Sequence, residues 1–150
     1  SDCFMDMSPY AAALIRFYTN QKNLQINFDY KKFPGSKNIQ SFYIFASDQK
    51  IRYFGNFSHN REYLSQIIFY SKRKIVFLTH QAFALSPLKN IEIIVKEKNE
   101  YKKVQIKKDD CIFNYFKEVL KSTNNNNFSK FYNLLIEDAK IRDNLYKRVK

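Results

Sequence analysis

Two histidines and two cysteines, His59, His80, Cys3 and Cys111, are the chain's whole supply of imidazole bases and thiol ligands. By number they are a Cys2His2 set. Structural zinc sites, however, nucleate on a close pair such as C-x2–4-C, and no two of these four lie near each other. The spacing predicts no metal; His80 reads as a turn residue and His59 as a helix-start residue. Neither histidine has a Ser/Cys–Asp pattern beside it, and neither G-x-S-x-G nor H-E-x-x-H occurs, so nucleophilic catalysis has no local signature. The carboxylate pair Asp109-Asp110 stands where a helix should begin, as cap and dipole partner. Glu137-Asp138 lies beside Lys140 and Arg142, as ordinary helix-surface charge. The two glycines, Gly35 and Gly55, exclude a Gly-rich phosphate loop of either common kind. No small-molecule cofactor is expected.

What remains is cationic and aromatic. The 150 residues hold 26 Lys+Arg against 14 Asp+Glu, a net charge of +12, with 11 Tyr and 15 Phe. Basic residues adjoin tyrosines at Tyr30-Lys31-Lys32, Tyr70 before Lys72-Arg73-Lys74, Tyr101-Lys102-Lys103 and Tyr146-Lys147-Arg148. Aromatic rings that stack on unpaired bases, with cations on phosphates, are the chemistry of single-strand binders. The competing reading is that tyrosines half-cover sheet and helix edges while lysines snorkel beside them. An AT-rich genome would also enrich Lys, Asn, Ile, Phe and Tyr whatever the function. The candidate polyanion contacts are Lys31, Lys32, Lys72, Arg73, Lys74, Lys102, Lys103 and Tyr70.

The elements that must position these residues follow from periodicity. Ser8-Pro9 predicts a helix start, with Tyr10, Leu14, Phe17 and Tyr18 as its face. Leu24, Ile26, Phe28 and Tyr30 alternate with polar residues as a half-buried strand. Phe33-Pro34-Gly35-Ser36 is a turn, and 39–46 with 50–55 form a hairpin around Ser47-Asp48-Gln49. Ser58 or Asn60 is expected to cap a second helix with Leu64, Ile67, Ile68 and Ser71 on one side. Ile75–Leu78 reads as a buried strand, Ala82–Leu85 as its partner, and 91–96 with 104–106 as a further hairpin. A helix opened by Asp109-Asp110 carries Ile112, Phe116, Val119 and Leu120 on one face. Residues 122–127 are an Asn-rich linker to a C-terminal helix over 128–148, with Phe128, Phe131, Leu135, Leu145 and Val149 as its apolar positions. Short connections pair strands antiparallel. The expectation is one α+β domain over 1–150, with an antiparallel sheet of about six or seven strands and helices at the N-terminus, middle and C-terminus.

Three stretches carry resemblances. Residues 74–122 resemble the second half of a pleckstrin-homology or GRAM-type module: paired strands at Lys74–Thr79 and Ala82–Leu85, a last strand at Lys102–Lys107, and a closing helix at Phe113–Leu120. The family's helix tryptophan is absent, leaving Phe116 in its place. That resemblance implies lipid-headgroup or protein binding, with Lys72-Arg73-Lys74 as the headgroup contact. Residues 9–72 resemble the small Alu-domain proteins of the signal recognition particle in their αβββα order, with Tyr18, Tyr30-Lys31, Ala46-Ser47-Asp48 and Tyr53 at similar places; this implies RNA on the sheet face. Ser41-Phe42-Tyr43, Tyr53-Phe54-Gly55, Arg61 and Glu92 loosely resemble the GIY-YIG endonucleases. By that resemblance Tyr43 or Tyr53 would activate water, Arg61 hold phosphate and Glu92 bind a divalent ion. Ser41 replaces the first glycine and Glu92 alternates as if on a strand.

The sequence thus predicts a non-catalytic binding module for a polyanion, with RNA or DNA ahead of an anionic membrane surface. The alternative is an assembly subunit of a larger protein complex docking through aromatic surface and the C-terminal helix; the third reading is the nuclease. No apolar run approaches the roughly 18–20 residues needed to cross a bilayer. No signal peptide is visible, and two unpaired cysteines predict a reducing compartment, cytoplasmic or nuclear.

Overall fold

The computed structural model describes residues 1–20, 23–59, 62, 64–78 and 87–149. The class is α+β as expected, with three helices at the N-terminus, middle and C-terminus and seven strands among the described residues. The strands are divided between two antiparallel sheets of three and four, within two compact units, 1–61 with 128–150 and 62–127. The expected strand at Ala82–Leu85, and His80, lie outside the described residues.

In the first unit α1 (Cys3–Tyr18) begins five residues before the expected Ser8-Pro9 start. The reason is Asp2. Its Oδ1 accepts from the backbone N–H groups of Phe4 and Met5 at 2.9 and 3.1 Å, satisfying donors that an uncapped first turn would leave bare. Its Oδ2 accepts from Ile39 N–H at 3.0 Å, fixing the helix start to the sheet. Pro9 falls inside the helix. The buried face also differs from expectation: Cys3, Phe4, Ser8, Ala11, Ala12 and Ile15 face inward, while Tyr10 and Phe17 are exposed. Small residues let the helix axis approach the sheet more closely than the tyrosines could.

That sheet is β1 (Gln25–Lys32), β2 (Ile39–Ser47) and β3 (Arg52–Ser58), in the order β1-β2-β3. Gly35, at φ +69°, takes the left-handed position of the Pro34-Gly35 turn, where Ser36 N–H donates to Phe33 O at 3.1 Å. Because side chains alternate along a strand, register fixes two faces. The inner face holds Ile26, Phe42, Ile44 and Ala46, with Phe28, Tyr30, Tyr53 and Phe57 packed against them. Phe42 is its hub, stacked on Phe57 at 4.9 Å and edge-on to Phe4 at 5.5 Å. α3 (Ser129–Tyr146) packs on α1 through buried Ile141 and Leu145. Leu135, expected on its buried side, is exposed.

The second unit is a meander of β4 (Ile67–Tyr70), β5 (Lys74–Leu78), β6 (Ile91–Glu97) and β7 (Glu100–Ile106), followed by α2 (Cys111–Asn124). The second helix expected after Ser58 does not form at Ile67–Tyr70. Four consecutive β-branched and aromatic residues lose χ1 freedom in a helix and pack well on a pleated sheet, and here they pair with Ile75–Leu78. Lys98, at φ +55°, makes the tight β6–β7 turn. α2 is capped by Asp110, whose Oδ1 accepts from Phe113 N–H at 2.8 Å. No described helix is long and apolar enough to cross a membrane.

Candidate functional site

The outer face of the β1-β2-β3 sheet is built by the strand register alone, in four rows. From one end these are Gln25–Ser47–Arg52, Asn27–Phe45–Phe54, Asp29–Tyr43–Asn56 and Lys31–Ser41–Ser58. Phe54 is 65% exposed and Phe45 42%, although both sit mid-strand where burial would be the usual fate of a phenylalanine. The Tyr43 and Phe54 rings stack with centroids 6.4 Å apart, forming an apolar platform across β2 and β3. Around it stand the exposed amides and carboxylate of Gln25, Asn27, Asn56 and Asp29. Cations mark opposite corners, Lys31 on one edge strand and Arg52 on the other; Gln25 to Lys31 spans about 20 Å of strand.

At the Arg52 end the face runs into an open cleft of about 530 Å³ lined by Asn23, Leu24, Gln25, Ser47, Asp48 and Gln49. Gln25 and Ser47 belong to both. Asp48 shapes this end rather than offering a spare charge. Its Oδ1 accepts from Lys50 and Ile51 N–H, each at 2.7 Å, and its Oδ2 from Asn20 N–H at 2.6 Å. Those backbone donors, Asn20 foremost, hold its carboxyl below the usual range. An aromatic platform, planar amides, hydroxyls and two separated cations suit a ligand with a ring to stack, hydroxyls to bond and phosphate to neutralise.

The residues singled out from the sequence fall as follows. Lys31 is on this outer face, whereas Lys32 folds over the Tyr30 ring at 5.5 Å. The other six are in the second unit. Lys72 and Arg73 sit in the exposed β4–β5 turn, after the exposed Tyr70. Lys74 is paired with Glu97 at 3.2 Å and Lys103 with Glu92 at 3.1 Å. Lys102 and Lys103 are adjacent on β7 and so point to opposite faces. Of the nuclease resemblance, Tyr43 lies on the outer face and Tyr53 on the inner one, Glu92 is bound to Lys103 and Gln105, and Arg61 lies outside the described residues.

Sequence spacing missed one grouping. Ser1 Oγ lies 3.2 Å from His59 Nδ1, and His59 Nε2 lies 3.4 Å from Asp6 Oδ2. Beside it the Cys3 thiol is pushed up to about 11, by burial first and then by the negative charges of Asp2 and Asp6. It is therefore a protonated, unreactive thiol at neutral pH. No group of three or more metal-ligating residues occurs among the described residues.

No family model matches the chain, and no curated protein matches it. Solved structures do. KijD10, a 3-ketoreductase from Actinomadura kijaniata in complex with TDP-benzene and NADP in an open conformation, superposes with a TM-score of 0.84 at 8% identity, over 95% of this chain and 45% of its own. A second structure of that complex gives 0.86 at 7% identity, over 97% and 45%. The NADP complex alone gives 0.86 at 7%, over 97% and 47%. The chain thus spans about half the length of these neighbours, and the likeness is one of fold. It corrects the functional expectation. A non-catalytic binder of RNA, DNA or anionic lipid, an assembly subunit and a nuclease were all inferred from charge and local pattern; the architecture is one found in an enzyme that reduces a ketone.

The neighbours' nicotinamide cofactor has no fitting cradle among the described residues. Gly35 is in a Pro-Gly turn and Gly55 is mid-strand, with Tyr53 and Phe57 closing on it. Neither lies between a strand and a helix N-terminus, where backbone N–H groups would meet a pyrophosphate. No hydride-transfer step is assigned to these residues.

Proposed function

We propose that this chain supplies the substrate-side surface of a reductase acting on nucleoside-diphosphate sugars, the cofactor being held by a different part of the protein or by a partner. The observation that supports it most is the outer face of β1-β2-β3, because its chemistry matches such a ligand part by part. A sugar or base ring lies flat on Phe54 and Tyr43, its apolar faces against theirs. Asn27, Asp29 and Asn56 bond its hydroxyls or ring edges. Arg52, opposite Ser47 in the strand register, takes the diphosphate, the fork geometry of guanidinium suiting phosphate oxygens. The fold likeness to a ketoreductase that holds a TDP compound supports the same ligand class.

What the chain's own residues do in this reading is bind and orient. Two rigid strands carry the platform, so a ligand loses little to reorganisation of the protein. Calorimetric titration of the folded chain with TDP-glucose and, separately, with NADPH tests it. Saturable binding of TDP-glucose without binding of NADPH is expected. Binding of NADPH, or no heat from TDP-glucose with the circular dichroism of a folded chain, overturns it.

A further inference from the structure

We infer that the outer face of β1-β2-β3 selects sugar nucleotides whose sugar carries a protonated amino group, and that Asp29 is the residue that reads it. The inference rests on the reading of that face as a sugar-nucleotide surface and names the class of sugar. The carboxylates of residues 1–61 are Asp2, Asp6, Asp29 and Asp48. All but Asp29 are engaged. Asp2 caps α1, Asp6 Oδ2 lies 3.4 Å from His59 Nε2, and Asp48 accepts from the N–H groups of Asn20, Lys50 and Ile51. Asp29 is exposed, and its contact is local, Oδ1 accepting from Tyr30 N–H at 2.8 Å. No cation pairs with it among the described residues, in a chain with 26 Lys+Arg. Lys31, the next residue along on the same face, makes no ion pair with it, and Lys32 is turned onto the Tyr30 ring at 5.5 Å.

The position of this carboxylate gives it a use. Directly opposite in the register is Tyr43, whose ring stacks on Phe54 with centroids 6.4 Å apart. Residues opposed in this way hold their Cβ atoms about 4.5–5.5 Å apart. A carboxylate at the rim of an aromatic platform suits an ammonium group: the ring faces attract the cation, and the carboxylate accepts a charge-assisted hydrogen bond from it. A sugar hydroxyl gains neither charge term. Arg52, Phe54, Tyr43 and Asp29 follow in that order from the β3 edge of the face to the β1 edge. A ligand that gives its diphosphate to Arg52 and lays its sugar on the platform therefore turns the far side of the ring toward Asp29. The diphosphate is joined at C1, so that far side bears C3 and C4, and the amino group belongs there.

Calorimetric titration of the folded chain near pH 6.5 with TDP-glucose, TDP-3-amino-3-deoxyglucose and TDP-4-amino-4-deoxyglucose tests this. One of the amino sugars should bind about three- to thirtyfold more tightly than TDP-glucose, the joint effect of an exposed ion pair and a cation–π contact. N-acetylation, which removes the charge, should abolish the preference. Asp29→Asn, which keeps the shape of the side chain, should abolish it too, and high salt should shrink it. Equal affinity for the three sugars within about twofold, or a preference that survives Asp29→Asn, overturns the inference and leaves the sugar-nucleotide reading standing. No binding of any of the three, with the circular dichroism of a folded chain, overturns that reading and this inference with it.

Discussion

Arg16 of α1 donates from Nε to Asp138 of α3 at 2.6 Å, joining residues 122 positions apart in the chain. A second link runs nearby, from Arg142 Nε to Ser8 Oγ at 3.1 Å, where Ser8 is buried beneath the helix pair. α3 is thereby fixed to the unit that carries the outer sheet face, although the polar connection before it reads as a linker. Each partner of the ion pair is about a quarter exposed or less. Asp138→Ala strands a half-buried guanidinium and is expected to cost about 1–3 kcal/mol in urea unfolding. A change within experimental error would mean that α3 contributes little to this unit.

Gly55 is required by its neighbours on β3. A Cβ there would meet Tyr53 Oη at 2.7 Å and Phe57 Cε2 at 2.8 Å. Phe57 cannot yield, because it is stacked on the buried Phe42. Gly55→Ala should therefore destabilise by about 1–3 kcal/mol, the usual range for overpacking, seen as a lowered melting temperature.

The cysteines should differ chemically. Cys111 is exposed and Cys3 buried. In a thiol titration at pH 8 one group should react at once and the second only on adding denaturant. Two fast thiols would mean that the first turn of α1 opens readily.

Alkali should weaken the fold, and the sign follows from Cys3 and Tyr53. Burial raises both, Cys3 from 9.0 to about 11 and Tyr53 above its ordinary 10.0. The unfolded chain therefore ionises first. The stability these groups confer is complete below about pH 9 and is lost as pH rises through their folded values. Denaturant midpoints measured from pH 8 to 11 should fall, and Cys3→Ser should remove the thiol's share of the slope. Asp48 acts in the opposite sense at the acid end. Its carboxyl is held below 3.8, so its contribution is present above that value and lost as pH falls through its lowered folded value.

Much of this fold was legible in the residues, for reasons that separate by element. Alternation over Ile26–Tyr30 and the Pro34-Gly35 turn gave β1 and its end, because a half-buried strand has a period of two. Asp110 gave the start of α2, because a cap is a local interaction. Asp2 did not reveal itself, since its second oxygen serves Ile39, 37 residues away. Ile67–Tyr70 misled because a short apolar run fits helix and strand alike until a partner is known. α1 buried its alanines instead of its tyrosines, an outcome set by the closeness of the sheet and invisible in the helix's own periodicity.

The outer face was half visible. Its residues are the polar members of the alternating pattern, Asn27, Asp29 and Lys31, but the platform needed register to bring Tyr43 on β2 beside Phe54 on β3. Reading cations by adjacency to tyrosine instead picked Lys102 and Lys103, which a strand sends to opposite sides.

Titration of the wild-type chain and of Phe54→Ala with TDP-glucose tests the substrate-side surface most directly. Phe54 is exposed and touches the sheet only through its stack on Tyr43, so its loss should leave the chain folded while removing a stacking contact worth about 1–3 kcal/mol, roughly 5- to 150-fold in Kd. Saturable one-to-one binding weakened to that degree in Phe54→Ala is the expected result; no binding, or binding equally tight without the ring, would contradict it.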